Sequence, residues 1–196
     1  LAFEGSFHGR MQISLSSTWN KAKRAPFEWS NFLTEFISFP NTKSANQKRK
    51  ISNEWLINWE NAPSKSFSPD ICHSETYDNN EWHLEKKSLL EAKNKLEQGD
   101  IFAIIIEPMQ CEGGDQYATS RFFQGLVSLS RSYDVPIIFD EVQTGYHLGD
   151  DFFWHKQFDL KNSKKELLTP DYLVCAKKAQ IGLVISHCDE KKTEEF

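Results

Sequence analysis

The chain has 196 residues, 39% of them hydrophobic and 26% charged, which is enough for one domain with a sizeable core. Lys and Arg number 23 against 28 Asp and Glu, a net charge of −5, so the chain is not built to attract nucleic acid or an anionic membrane. Its longest apolar run, Ile101 to Ile106, is the length of a strand and far short of the roughly 20 residues that span a bilayer.

Cys72, Cys111, Cys175 and Cys188 form no C-x-x-C pair and no metal-ligand spacing. Reduced thiols in a cytoplasmic protein are the expectation. The segment Leu1 to Gly5 is not a basic-then-apolar signal. The opening at Leu1 and the stop at Phe196 read as processing or as truncation of a longer protein.

Residues 1–40 mix short apolar stretches with turn residues, and residues 41–80 are polar, rich in Ser, Asn, Lys and Pro and without a period. The second zone reads as an insertion or surface excursion. The basic stretch Lys43 to Lys50, near Trp55 and Trp59, fits a solvated loop better than a nucleic-acid patch in an acidic chain. Leu84, Leu89, Leu90, Ala92 and Leu96 fall near helical spacing, and Gly99 stands where that helix stops. Ile101 to Ile106 predicts a strand buried on both faces, ended by Glu107-Pro108. Thr119 or Ser120 caps a second helix, with Phe122, Phe123, Leu126, Leu129 and Tyr133 on one broad side. Val135 to Phe139 and Tyr172 to Ala176 predict two more buried strands, ended by Asp140-Glu141 and by Lys177.

Strands alternating with helices imply a parallel sheet with right-handed crossovers, which binds ligands at the carboxyl ends of its strands. The residues there are Glu107, Asp140 and Lys177, each gap close to the ~30 or more residues of one βαβ unit. An amine meeting two acids has three readings. One is a simple ion pair. Another is a magnesium-holding acid pair of an ATPase, with Ile-Ile-Phe-Asp-Glu as its strand, although the chain contains no G-x-x-x-x-G-K-[ST] loop. The third is pyridoxal 5'-phosphate, which needs a lysine to form a Schiff base with its aldehyde and an acid to keep its pyridine nitrogen protonated.

Four stretches occur in order: Ser6 to Arg10 (Ser-Phe-His-Gly-Arg), Ile106 to Asp115 (Ile-Glu-Pro-Met-Gln-Cys-Glu-Gly-Gly-Asp), Ile138 to Gly145 (Ile-Phe-Asp-Glu-Val-Gln-Thr-Gly) and Pro170 to Lys178. Together they resemble the class III aminotransferases of fold type I, and the Glu-Gly-Gly-Asp element is most similar to lysine ε-aminotransferases, with 4-aminobutyrate aminotransferases next. The resemblance implies an α/β fold, a mostly parallel sheet with helices on both faces, with residues 1–196 the central part of the cofactor-binding large domain. It implies that Phe7 stacks on the pyridine ring, that His8 and Gly9 shape the turn beside it, and that Arg10 binds a substrate carboxylate. Asp140 pairs with the pyridine nitrogen, Gln143 hydrogen-bonds near the ring hydroxyl, and Lys177 carries the cofactor, with Lys178 its rival.

Glu107 matches the gate glutamate that exchanges with a downstream arginine in the family. His147 and His155 are given surface or packing roles. The implied reaction moves an amino group from an ω-amine such as lysine or 4-aminobutyrate to 2-oxoglutarate, in a homodimer. Missing from this chain are the family's phosphate-binding loop, the second subunit's threonine and the small domain. Ala179-Gln180-Ile181 and residues 188–196 depart from the family pattern. A truncated or decayed copy without activity of its own is therefore a further expectation.

Overall fold

The computed structural model describes residues 1–27, 32–42 and 79–187. The readings made for residues 43–78, the basic stretch at Lys43 and Cys72 among them, and for residues 188–196 lie outside the described residues. In chain order the elements are β1 (Ala2–Phe3), α1 (Gln12–Ser16), α2 (Lys21–Arg24), β2 (Phe36–Ile37), α3 (Asn79–Leu96), β3 (Ile104–Ile106), β4 (Met109–Gln110), β5 (Gln116–Tyr117), α4 (Ser120–Ser132), β6 (Ile137–Asp140), β7 (Tyr172–Cys175) and β8 (Leu183–Ser186).

The main sheet has the order β3-β6-β7-β8, parallel from β3 to β7. Asp140, the last residue of β6, lies in register with Val174 of β7. The Leu1 nitrogen donates to the Ala103 carbonyl at 2.8 Å and the Ile105 N–H to the Leu1 carbonyl at 2.9 Å. These bonds carry the sheet across from β3 to β1, which pairs in parallel with β2. The fold class expected from the sequence, α/β with a mostly parallel sheet, is the one observed.

Two strands are shorter than expected, for one reason. Pro136 has no N–H to give, so the β3–β6 ladder starts only at the register pair Ile104–Ile137. Phe102, inside the expected strand, is 69% exposed and meets Phe32 edge-on. Burial on both faces is also corrected: Ile104, Ile106, Ile137 and Phe139 are fully buried, whereas the alternate residues Ile105 and Ile138 are half-buried. An unexpected strand, β8, pairs antiparallel with β7 and leaves Leu183, Val184 and Ile185 exposed.

The fully buried face is covered by α3 and α4, which share its core with Phe3, Leu89, Leu126 and Leu173. Aromatic rings fill it, with Phe3 edge-on to Phe122 and Phe123 stacked on Phe158 at 4.4 Å. Helix α3 starts earlier than its leucines indicate, and Leu84 is 40% exposed while Glu85 and Ser88 are buried. The cause lies on α4. Buried Arg121 donates from Nε to Glu85 at 2.6 Å and lies over the Trp82 ring at 4.7 Å. Thr119 is the N-cap residue of α4 as expected, but its hydroxyl caps nothing and donates instead to Glu85 at 2.5 Å.

Removing one member of a buried ion pair strands the other charge without its partner. Glu85→Ala is expected to lower unfolding stability by about 3–5 kcal/mol in urea titration. Lys87→Ala, at an exposed pair, should cost under about 0.5 kcal/mol. Equal losses would contradict the packing described. No helix among the described residues is long and apolar enough to cross a membrane.

Candidate active site

The rim is assembled from the carboxyl ends of β3, β6 and β7 and from the loop after β1. Glu107 follows β3, Asp140 ends β6, and Lys177 lies two residues past β7. The loop Ser6 to Arg10 crosses over them, held at three points. The Phe7 N–H donates to Glu107 Oε1 at 2.8 Å, the His8 N–H donates to Thr18 Oγ1 at 2.9 Å, and His8 Nδ1 meets Asp140 Oδ2 at 2.8 Å. Gly9 is required here. It has φ +125°, and a Cβ on it would stand 2.8 Å from Ser14 Oγ.

Asp140 is nearly buried, and its second oxygen accepts the Val142 N–H at 3.1 Å. The sequence reading makes His8 a cofactor-binding residue that shapes the turn beside the ring, and names no partner for its side chain. That side chain is fully buried against Asp140, and Nε2 is a buried polar atom with no partner among the described residues. A histidine that spends Nδ1 on a carboxylate holds the two side chains in a fixed mutual orientation. Phe7 is half-buried, and the Lys23 ammonium lies 4.9 Å from its ring centroid. Gln143 is half-buried in the turn after β6, and Arg10 is exposed at the mouth.

The two lysines differ. Lys178 donates to the Tyr146 carbonyl at 3.3 Å. Lys177 is exposed, its ammonium has no hydrogen bond among the described residues, and its charge is felt by Glu107, Cys111 and Glu112. Its φ of +35° is a strained value for a residue with a side chain, and such strain gathers at functional sites.

Glu107 is 3% exposed, and burial pushes its carboxyl up to about 8. Asp140 and Glu112 reinforce the shift, while the Phe7 amide and Lys177 oppose it. This geometry is at odds with the gate role inferred from the sequence. A carboxylate that swings between partners must be mobile, and Glu107 is walled in and committed to a backbone amide. Glu112, five positions on, is exposed, pairs with Lys23, and is held below the usual carboxylate range first by that lysine, with Lys177 and Arg10 contributing.

A carboxyl whose folded value lies above its unfolded one stabilises the fold below pH ~4.5. That contribution is lost as pH rises through the folded value of about 8. Between pH 5 and 8 the protein should lose stability on the order of a few kcal/mol through this group. In Glu107→Gln that slope should flatten, read as urea midpoints across the range. Parallel curves for the two proteins would contradict the buried position.

The second acid of the Asp-Glu pair has a different task. Glu141 is fully buried and accepts from the Trp154 and His155 amides at 2.7 and 2.9 Å, from Thr144 Oγ1 at 3.1 Å, and meets His155 Nδ1 at 2.6 Å. With both oxygens occupied it cannot serve as a magnesium ligand, and the ATPase reading loses its second acid. His155, given a surface or packing role from sequence, staples the long loop back to the strand end. His147 sits in a left-handed turn with its ring against Phe152.

The rim thus gathers an amine, two acids and an aromatic ring at the carboxyl ends of one parallel sheet. The family model for class III aminotransferases matches residues 1–193, and the chain belongs to this family. It is 28% identical over 200 residues to a 4-aminobutyrate aminotransferase of Dictyostelium discoideum, covering all of this chain and 33% of that protein. A mitochondrial 4-aminobutyrate aminotransferase of Mus musculus is 29% identical over 164 residues, covering 82% of this chain and 27% of its own. Among solved structures, a lysine aminotransferase of M. tuberculosis superposes with a TM-score of 0.71 at 25% identity, over 99% of this chain and 36% of that one. The chain thus spans about a third of the length of the relatives it matches.

Proposed function

We propose that this chain forms the cofactor-bearing part of a pyridoxal-phosphate-dependent transaminase. It would move an amino group from an ω-amine donor, lysine or 4-aminobutyrate, to a 2-oxo acid, 2-oxoglutarate, in a homodimer. The observation that carries the reading is the pairing of β6 with β7, which brings Asp140 and Lys177 to neighbouring strand ends beneath the loop of Phe7 and His8. The donor set fits the cofactor: a free amine for its aldehyde, a carboxylate ordered by His8 for its pyridine nitrogen, and a half-buried ring to stack on it. The cofactor, once bound, supplies an electron sink for the bond that breaks at the substrate carbon.

Everything else falls to the chain. Lys177 would hold the cofactor through Nζ, and the same amine is the group placed to carry a proton at the substrate carbon. Asp140 would pair with the ring nitrogen, His8 keeps Asp140 aimed, and Gln143 would hydrogen-bond beside the ring hydroxyl. Glu107 fixes Phe7 through its amide. Arg10 takes a substrate carboxylate in a two-pronged contact that a lysine cannot make. The gate role passes to Glu112, the exposed carboxylate of this rim.

A cytoplasmic location, expected from the thiols, belongs to the same proposal, and three relatives are named as mitochondrial. The test is an amino-transfer assay on the protein with added cofactor, following glutamate formed from 2-oxoglutarate and each donor. Donor-dependent glutamate supports the reading. Tight magnesium-ATP binding without amino transfer would replace it.

A further inference from the structure

Lys23 stands at the end of α2, whose start is capped by Asn20 accepting the Ala22 and Lys23 amides at 3.0 and 3.4 Å. Its ammonium lies over the Phe7 ring and pairs with Glu112, a residue far away in the sequence. These side chains border a cavity of about 430 Å³ also lined by Trp19, Asn20 and Gln116. None of Asp140, Gln143 and Lys177 lines it. Phe7 and Glu112 both line this cavity.

Glu112 has three cations within electrostatic reach: Lys23, Lys177 and Arg10. It pairs with the first of them. Arg10 has no hydrogen bond or ion pair among the described residues. We propose that Lys23 is a specificity-determining residue: by pairing with Glu112 on the cavity side, it keeps that carboxylate off Arg10 and leaves Arg10 open to an acid group of the substrate. Without Lys23, the cations whose charge Glu112 still feels are Lys177 and Arg10, and an incoming carboxylate has to displace it from them. The inference rests on the reading of Arg10 as the carboxylate site and goes beyond it by naming what keeps that site open.

The test uses glutarate, which has two carboxylates and no oxo or amino group, titrated calorimetrically into the cofactor-loaded protein. Lys23→Met keeps an unbranched side chain and loses the charge that lies over Phe7. It should weaken glutarate binding about three- to fivefold, the scale of a partly exposed ion pair. Lys23→Arg should bind as the parent does. The double variant Lys23→Met/Glu112→Gln should also return to the parent affinity, because the competing carboxylate is gone. In the transfer assay Lys23→Met should raise KM for the acid acceptor and leave kcat within about twofold, and Lys23→Arg should match the parent.

A purely structural role for Lys23 would give a loss that Glu112→Gln does not repair. That result, an unchanged Lys23→Met, or no glutarate binding to the parent would each overturn the proposal. Arg10→Ala separates the two layers. If it leaves glutarate affinity unchanged, the reading of Arg10 fails; if it abolishes binding while the Lys23 series stays flat, only Lys23 is wrong.

Discussion

Asp140→Asn is expected to lower the rate of the amino-transfer half-reaction by several orders of magnitude while the protein keeps its fold and most of its grip on the cofactor. Asparagine retains an acceptor for the Val142 amide and presents a polar group to His8 Nδ1, so both local contacts of Asp140 survive with a change of histidine tautomer. What disappears is the negative charge that keeps a proton on the ring nitrogen. That charge matters most when electrons flow into the ring, so its loss falls on the transition state rather than on binding. Each ~1.4 kcal/mol of lost stabilisation is a factor of ten in rate. Single-turnover spectra with a saturating donor read the step directly, and equilibrium dialysis reads the cofactor. Near-normal turnover would remove Asp140 from the chemistry.

Lys177→Ala should abolish covalent fixation of the cofactor and lower amino transfer by a comparable factor, because one side chain serves as both anchor and proton carrier. Lys178→Ala should leave the rate within about tenfold. Its ammonium is engaged with the Tyr146 carbonyl on the loop after β6, and its loss costs one exposed hydrogen bond. The contrast between neighbours is the informative part. A general disturbance of the turn after β7 would slow both variants alike, whereas a reversed order would give the role to Lys178. Added methylamine, a small external base, should recover part of the Lys177→Ala rate if proton transfer is among the lost functions.

The residues that end the strands could be read directly from the sequence, because a buried parallel strand is a continuous apolar run and whatever polar residue ends it lies on the ligand side of the sheet. Glu107, Asp140 and Lys177 were found in that way, and so were the core phenylalanines of α4. Contacts between distant residues left no such trace. His8 reaches Asp140 across 132 positions and Glu85 reaches Arg121 across 36, and no periodicity joins either pair. Glu141 could be seen as the second acid of a pair, but its histidine partner sits in a loop with no regular pattern.

The proposal of Glu112 rather than Glu107 as the gate could not come from the motif, which gives position and not exposure. Only the structure separates the walled-in Glu107 from the exposed Glu112. Strand β8 went unread because an exposed edge strand carries neither a buried run nor a strict alternation.

The central claim is that Lys177 holds pyridoxal phosphate. Borohydride reduction of the protein incubated with the cofactor, followed by peptide mapping of the added mass, tests it most directly. The account requires the reduced adduct on Lys177, with a loss of yellow colour that keeps pace with the covalent yield. An adduct mapped to Lys178, or no adduct at all on a folded protein, would contradict it.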